Sequence, residues 1–185
     1  MNGSVATLHP EEVTSLAAAL ADADPLAAVL RVIHELAVAK MCVSVFSASR
    51  CLVETHELDR IYSSHPQAYP VGARKSKRET GWARQVIQNR QVFVGEGPLE
   101  MAAAFDDQER MAALGMRSII NVPIVLPGGG LGVLNFGRNV ERVMPADVTT
   151  ARFLGLVASA GFALSRCAAL GDAVKPAPGA AASRR

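Results

Sequence analysis

The sequence predicts an α+β layer fold, on three observations. Amphipathic helical stripes stand at both ends of the chain, strand-like segments fill its middle, and a strong hairpin pattern precedes the last helix. Antiparallel strands between terminal helices imply a helix pair on one sheet face and mid-chain segments covering the other.

Each element has its own signal. Over Glu11 to Ala21, Val13, Leu16, Ala17 and Leu20 fall on one helix face. Asp24 before Pro25 is a helix start, a capping acid followed by a residue preset for the first turn. Leu26, Val29, Leu30, Ile33 and Leu36 make the second stripe. Met41 to Phe46 reads as a buried strand, and Leu52 to Tyr62 alternates imperfectly as a second. Ser63 to Lys77 is polar, contains proline and is too long for a tight turn, which points to a functional loop. Thr80 to Asn89 is a short helix carrying Trp82, and Val92 to Val94 a short strand broken by Gly95 to Pro98. Pro98 to Leu114 passes from irregular structure into a helix that Gly115 closes. Ser118 to Leu126 and Leu131 to Phe136 are hairpin partners around Pro127 to Gly130. A helix follows Pro145 to about Ala169 and ends at Gly171. Its centre, Phe153 to Ala158, is apolar nearly all round, which predicts burial on more than one side. The division expected is an N-terminal helix over 1–24, a core domain over 25–170 and a disordered tail over 171–185, rich in Ala, Pro and Gly.

Half of the 185 residues are hydrophobic, enough for one core of domain size. Nineteen basic against 17 acidic side chains leave a net charge of +2 and no electrostatic reason to expect nucleic acid or a membrane surface as partner. One basic cluster stands out, Arg74, Lys75, Lys77 and Arg78, to be read as a solvated loop or as an anion-attracting rim. Cys42, Cys51 and Cys167 form no CxxC and argue against a disulfide framework or a structural zinc site. Met1 to Pro10 lacks a secretory pattern and no run of about 18 uninterrupted apolar residues occurs, so a cytoplasmic chain is expected.

The segments TGWARQVIQNRQVFVGEG, FDDQERMAALGMRSIINVPIVLPGGGLGVLNFGRN and MPADVTTARFLGLVASAGFAL resemble a GAF domain over Pro25 to Leu170. The most specific part is Arg117-Ser118, Val122-Pro123-Ile124, a glycine turn, and Gly132-Val133-Leu134. The resemblance implies a six-stranded antiparallel sheet, helices on one face and a small-molecule pocket on the other. It also implies regulation of an effector, here a separate protein, and dimerisation through flanking helices.

Several chemistries of that family meet obstacles in these residues. Free methionine sulfoxide reductases need thiols at the pocket, and no cysteine lies between Leu52 and Arg166. Of a cyclic-nucleotide signature only Asn135 and Asp147 match, and Asp147 has a simpler reading as an acid in a helix first turn. His65 has no neighbouring thiol for bilin attachment. His56 and His65 are two ligands where a metal wants three or four. No cofactor is expected. The remaining reading is a non-enzymatic binding module with an unidentified small-molecule ligand, against two rivals: a reductase-type enzyme and a ligand-free dimerisation domain. Asn is depleted in strand interiors, so Asn121 and Asn135 need an internal hydrogen bond or a ligand to explain them. With Trp82, Tyr62, His65 and Tyr69 they form the candidate ligand-binding set, Asn121, Asn135, Trp82, His65 and Tyr62 being expected to point towards one cavity. The last expectation is a homodimer held by the terminal helices, because the apolar girth of Val148 to Leu164 needs more cover than one sheet supplies.

Overall fold

The computed structural model describes residues 8–52, 55, 57–76, 80–126 and 130–174, the stretch 168–174 as backbone only. Two helices open it, α1 (Pro10–Leu20) and α2 (Pro25–Met41). Strands β1 (Val43–Leu52), β2 (Glu57–Ser63) and β3 (Arg74–Ser76) follow. Next come α3 (Gly81–Ala83), continued by a π-helical turn over Arg84–Gln88, then β4 (Phe93–Glu96), α4 (Gly97–Ala104) and α5 (Gln108–Ala113). The hairpin β5 (Ser118–Val125) and β6 (Leu131–Arg138) leads into α6 (Pro145–Val174). The six strands form one sheet in the order β3-β2-β1-β6-β5-β4, with every neighbouring pair antiparallel. The predicted α+β architecture is the observed one.

Local chemistry accounts for the element ends. The Asp24 carboxylate accepts from the Ala27 amide (3.2 Å), satisfying one of the free donors at the start of α2. Gly115 closes α5 in the left-handed region, φ 71°. Cys42 takes the same conformation at the end of α2, φ 53°, where glycine is the commoner choice. It is exposed, although a buried strand over Met41 to Phe46 would have covered it, and the buried thiol is Cys51 on β1. The strand begins two residues later than Met41 and runs six residues beyond Phe46, so Cys51 stays inside the sheet rather than entering a turn.

One face of the sheet carries the helices. Leu30, Ile33, Phe46, Ile120, Leu134, Phe136 and Leu154 sit in a single apolar cluster with Leu16 and Ala19 of α1. Removing such side chains from water contributes about 1.5–3 kcal/mol each, which fixes the helix layer on this side. The N-terminal helix therefore belongs to the same core as the segment after Asp24, and Glu12 of α1 pairs with Lys40 of α2 at 2.9 Å. Only one side of α6 is covered in the single chain. Ala151, Leu154, Ala158 and Phe162 are buried, while Phe153 is 41% and Leu156 69% exposed, so the expected burial on several sides is not met within one protomer. The reason is that α1 packs on α2 and leaves the outer side of α6 uncovered. By length and composition Pro145–Cys167 is apolar enough to cross a membrane, with mean hydropathy 1.4, but its inner side packs against β5 and α2 as a core helix does. The helix continues through Gly171 to Val174, and the rest of the predicted tail lies outside the described residues, as do Lys77, Arg78 and His56.

An irregularity between β1 and β2 decides which side chains reach the far face. Ala48 stands opposite Tyr62 and Ser49 opposite Arg60, so Ile61 is an extra residue in β2. A one-residue slip sends every later side chain to the other side of the sheet.

Candidate functional site

On the face away from the helices, alternate positions of the central strands project a mixed surface. Val45, Ser47 and Ser49 come from β1, Leu58 and Arg60 from β2, and Asn135 and Gly137 from β6. Tyr69, Lys75, Trp82, Phe105 and Asp107 close over them and leave a cavity of about 90 Å³. Its walls are mostly apolar, completed by Met111, Met116 and Ile119. An apolar chamber with a few converging polar groups is the usual form of a small-molecule site.

Beneath it runs a hydrogen-bond relay. The Trp82 indole N–H donates to Asn121 Oδ1 (2.8 Å), Asn121 Nδ2 donates to Asn135 Oδ1 (2.7 Å), and Asn135 Nδ2 donates to Ser47 Oγ (3.1 Å). Thr80 caps the helical turn that holds Trp82 by accepting from the Ala83 amide at 3.0 Å. Asn121 and Asn135 face each other across the β5–β6 ladder, which brings their amides together. Both strand asparagines thus have internal partners, and Asn135 also borders the cavity.

The charged wall is organised around Tyr69. The Arg60 guanidinium stacks on its ring at 5.0 Å and Arg110 at 5.8 Å. Burial first, and the neighbouring Asp107 carboxylate next, push the Tyr69 phenol up to about 12. Lys75 pairs with Asp106 at 2.5 Å and Asp107 at 3.3 Å. Arg60 Nη1 donates to the Pro70 carbonyl (3.3 Å), but Nε is buried with no acceptor among the described residues. Desolvation pulls the Arg60 guanidinium below its ordinary value.

The candidate set therefore divides. Trp82, Tyr69 and Asn135 line the cavity, and Asn121 supports them from the same face. Tyr62 and His65 do not line it. The extra residue in β2 turns Tyr62 to the helix side, where it packs on Phe46 (ring centroids 5.5 Å) and its hydroxyl lies 3.2 Å from His34 Nδ1. His65 Nδ1 lies 2.8 Å from Ser64 Oγ, and its backbone carbonyl anchors the turn to Tyr69. Asp147, half of the cyclic-nucleotide match, does not line the cavity either. It pairs with Arg138 at 2.7 Å and accepts from the Met144 amide at 2.8 Å, as an acid in the first turn of α6. Ser47, Ser49, Arg60 and Asp107 were not anticipated. Two serines two apart in an apolar strand, on the side of Val45, were the readable sign, since period two places them together. Among the described residues no three His, Cys, Asp or Glu side chains gather as a metal site.

No family model matches the chain, and no curated protein matches it. Solved structures do. The GAF domain of a phosphoenolpyruvate-protein phosphotransferase from Coxiella burnetii superposes with a TM-score of 0.69 at 15% identity, covering 86% of this chain and 95% of that one. The phycoerythrobilin-bound GAF domain of a cyanobacterial phytochrome gives 0.63 at 14% identity, covering 88% and 99%. The free methionine-R-sulfoxide reductase from Neisseria meningitidis, in complex with its substrate, gives 0.61 at 16% identity, covering 88% and 96%. At such identities the likeness is one of fold. The chain has the GAF fold.

Proposed function

We propose that this chain is a small-molecule-binding sensory module that binds its ligand without turning it over and reports to a protein partner. The observation that carries this reading is the cavity on the sheet face opposite the helices, mostly apolar in its walls and anchored by Ser47, Asn135, Arg60 and Tyr69. Occupancy would reach the partner through the sheet and the terminal helices, with α6 supplying the contact to a second copy. Its exposed Phe153, Leu156 and Leu164 are the surface that favours such a homodimer.

The reductase alternative needs a thiolate at the ligand. The nearest candidate by strand position, Cys51, is buried behind the lining residues Leu58 and Trp82 without lining the cavity itself, and burial pushes its thiol up, away from the thiolate. Cys42 and Cys167 are exposed and do not line the cavity. These placements favour binding over thiol chemistry.

Native mass spectrometry of gently purified protein tests the reading. An added small mass that denaturation releases, and that a Ser49→Leu variant filling the cavity loses while still folded, is the expected result. No added mass, together with no thermal stabilisation by any member of a broad metabolite panel, would leave an empty domain and overturn it.

A further inference from the structure

The polarity of the relay beneath the cavity carries an inference about the ligand's charge, which rests on the binding reading above. An indole N–H donates only. Trp82 therefore obliges Asn121 to present its oxygen at one end and its NH₂ at the other. Asn121 in turn obliges Asn135 to accept with oxygen and to donate with nitrogen. At the far end Ser47 Oγ is the acceptor, and its own O–H hydrogen is left to donate beside the cavity it lines. No choice of amide orientation reverses this, because the donor-only end sets the direction of the whole chain.

The opposite wall has the same sign. Arg60 lines the cavity, uses Nη1 on Pro70 and has Nε buried without an acceptor among the described residues. A buried donor left unsatisfied is costly and uncommon in folded proteins. The other charges around it nearly balance. Lys75 is held by Asp106 and Asp107, Asp107 also acts on Arg60, and Arg110 lies over the Tyr69 ring, so these three cations against two carboxylates leave a surplus of one positive charge around Arg60. Ser49 stands directly opposite Arg60 in the β1–β2 pair and adds a hydroxyl to the same patch. The remaining wall is aliphatic and thioether: Val45, Leu58, Met111, Met116 and Ile119. The cavity, about 90 Å³, has room for a small molecule.

We propose that the cavity takes a small carboxylate with a short apolar tail, its oxygens received by Arg60 and the Ser47 hydroxyl and its tail lying against Met111, Met116 and Ile119. A carboxylate supplies two acceptors in one plane, matching a guanidinium fork. The tail occupies the apolar wall that a bare inorganic anion would leave uncovered.

Trp82 is the only tryptophan in the chain, so its indole N–H gives a single, assignable NMR signal at the donor end of the relay. The test titrates the whole chain with butyrate, butyramide and butylamine at matched ionic strength and follows that signal. Butyrate is expected to move it saturably, with butyramide and butylamine at least tenfold weaker. Arg60→Gln is expected to weaken butyrate tenfold or more, and Ser47→Ala by a smaller factor. The second variant serves if the first fails to fold. Butyramide or butylamine binding as well as butyrate would overturn the charge assignment while leaving a binding module standing. Silence of the signal to all three probes in folded protein overturns the carboxylate assignment, and native mass spectrometry then decides the binding reading separately.

Discussion

Replacing Asp147 by alanine is expected to destabilise the fold by about 4 kcal/mol, for reasons that begin with Arg138. That arginine is 4% exposed at the end of β6. Its Nε donates to the Met41 carbonyl (2.7 Å) at the end of α2, Nη1 to the Arg142 carbonyl (2.9 Å) in the following loop, and Nη2 meets Asp147 at 2.7 Å in α6. One side chain thus fastens four segments. Removing the carboxylate paired with it leaves a buried cation, a loss of about 3–5 kcal/mol in comparable cases. The two carbonyl acceptors remain, so the lower figure, about 3, applies. Loss of the Met144 N–H acceptor at the start of α6 adds about 1 kcal/mol. At about 2–4 °C per kcal/mol for a chain of this size, the melting midpoint should fall by roughly 8–16 °C. Urea unfolding followed by circular dichroism reads the same change in free energy. Asp147→Asn, which can keep the helix-start acceptor, should fall short of the alanine loss by that last increment. In an Arg138→Met background the Asp147→Ala cost should shrink to the capping contribution, since the pair no longer exists. An Asp147→Ala loss below about 1 kcal/mol, or one undiminished beside Arg138→Met, would refute the reasoning.

Three further outcomes follow from single contacts. In Gly137→Ala the new Cβ would overlap Met116 Cε, and the thioether, which lines the cavity, must shift to admit it. The expected cost is about 1–3 kcal/mol, with a smaller increment when Met116→Ala is combined with it, measured by denaturant unfolding. Burial holds His34 below its ordinary value, His65 adds a little to this, and Glu35 opposes it. A depressed histidine contributes stability that is present above the unfolded value near 6.5 and lost as pH falls through the folded one, so the unfolding midpoint should drop as pH is lowered below about 6.5. His34→Gln should flatten that drop, and an unchanged slope in the variant would count against it. Light scattering at tens of micromolar should show a dimer, which Leu156→Asp dissociates or aggregates, and a wild-type monomer would defeat the proposed contact.

Periodicity made the fold legible and left the site half legible, for one physical reason. A helix stripe or a strand alternation reports which residues share a face, so Asp24, Gly115 and the β5–β6 hairpin could be read directly. The asparagines were legible because an amide inside an apolar strand demands a partner. A bulge, by contrast, is a single unpaired residue without a compositional mark, and Ile61 is an ordinary strand residue. Counting by twos from Leu58 puts Arg60 and Tyr62 on one side; the observed register puts Arg60 at the cavity and Tyr62 against Phe46 and His34. The same blindness applies to the short edge strand. The basic cluster begun by Arg74 and Lys75 could be read as a solvated loop or as an anion-attracting rim; pairing with β2 sets Lys75 opposite Leu58 and brings it into the cavity wall, while Arg74 and Ser76 remain exposed. Charge in a sequence is a sum over both faces of a strand. The cavity receives one face only, and its surplus therefore depends on register, which the net charge of +2 does not encode.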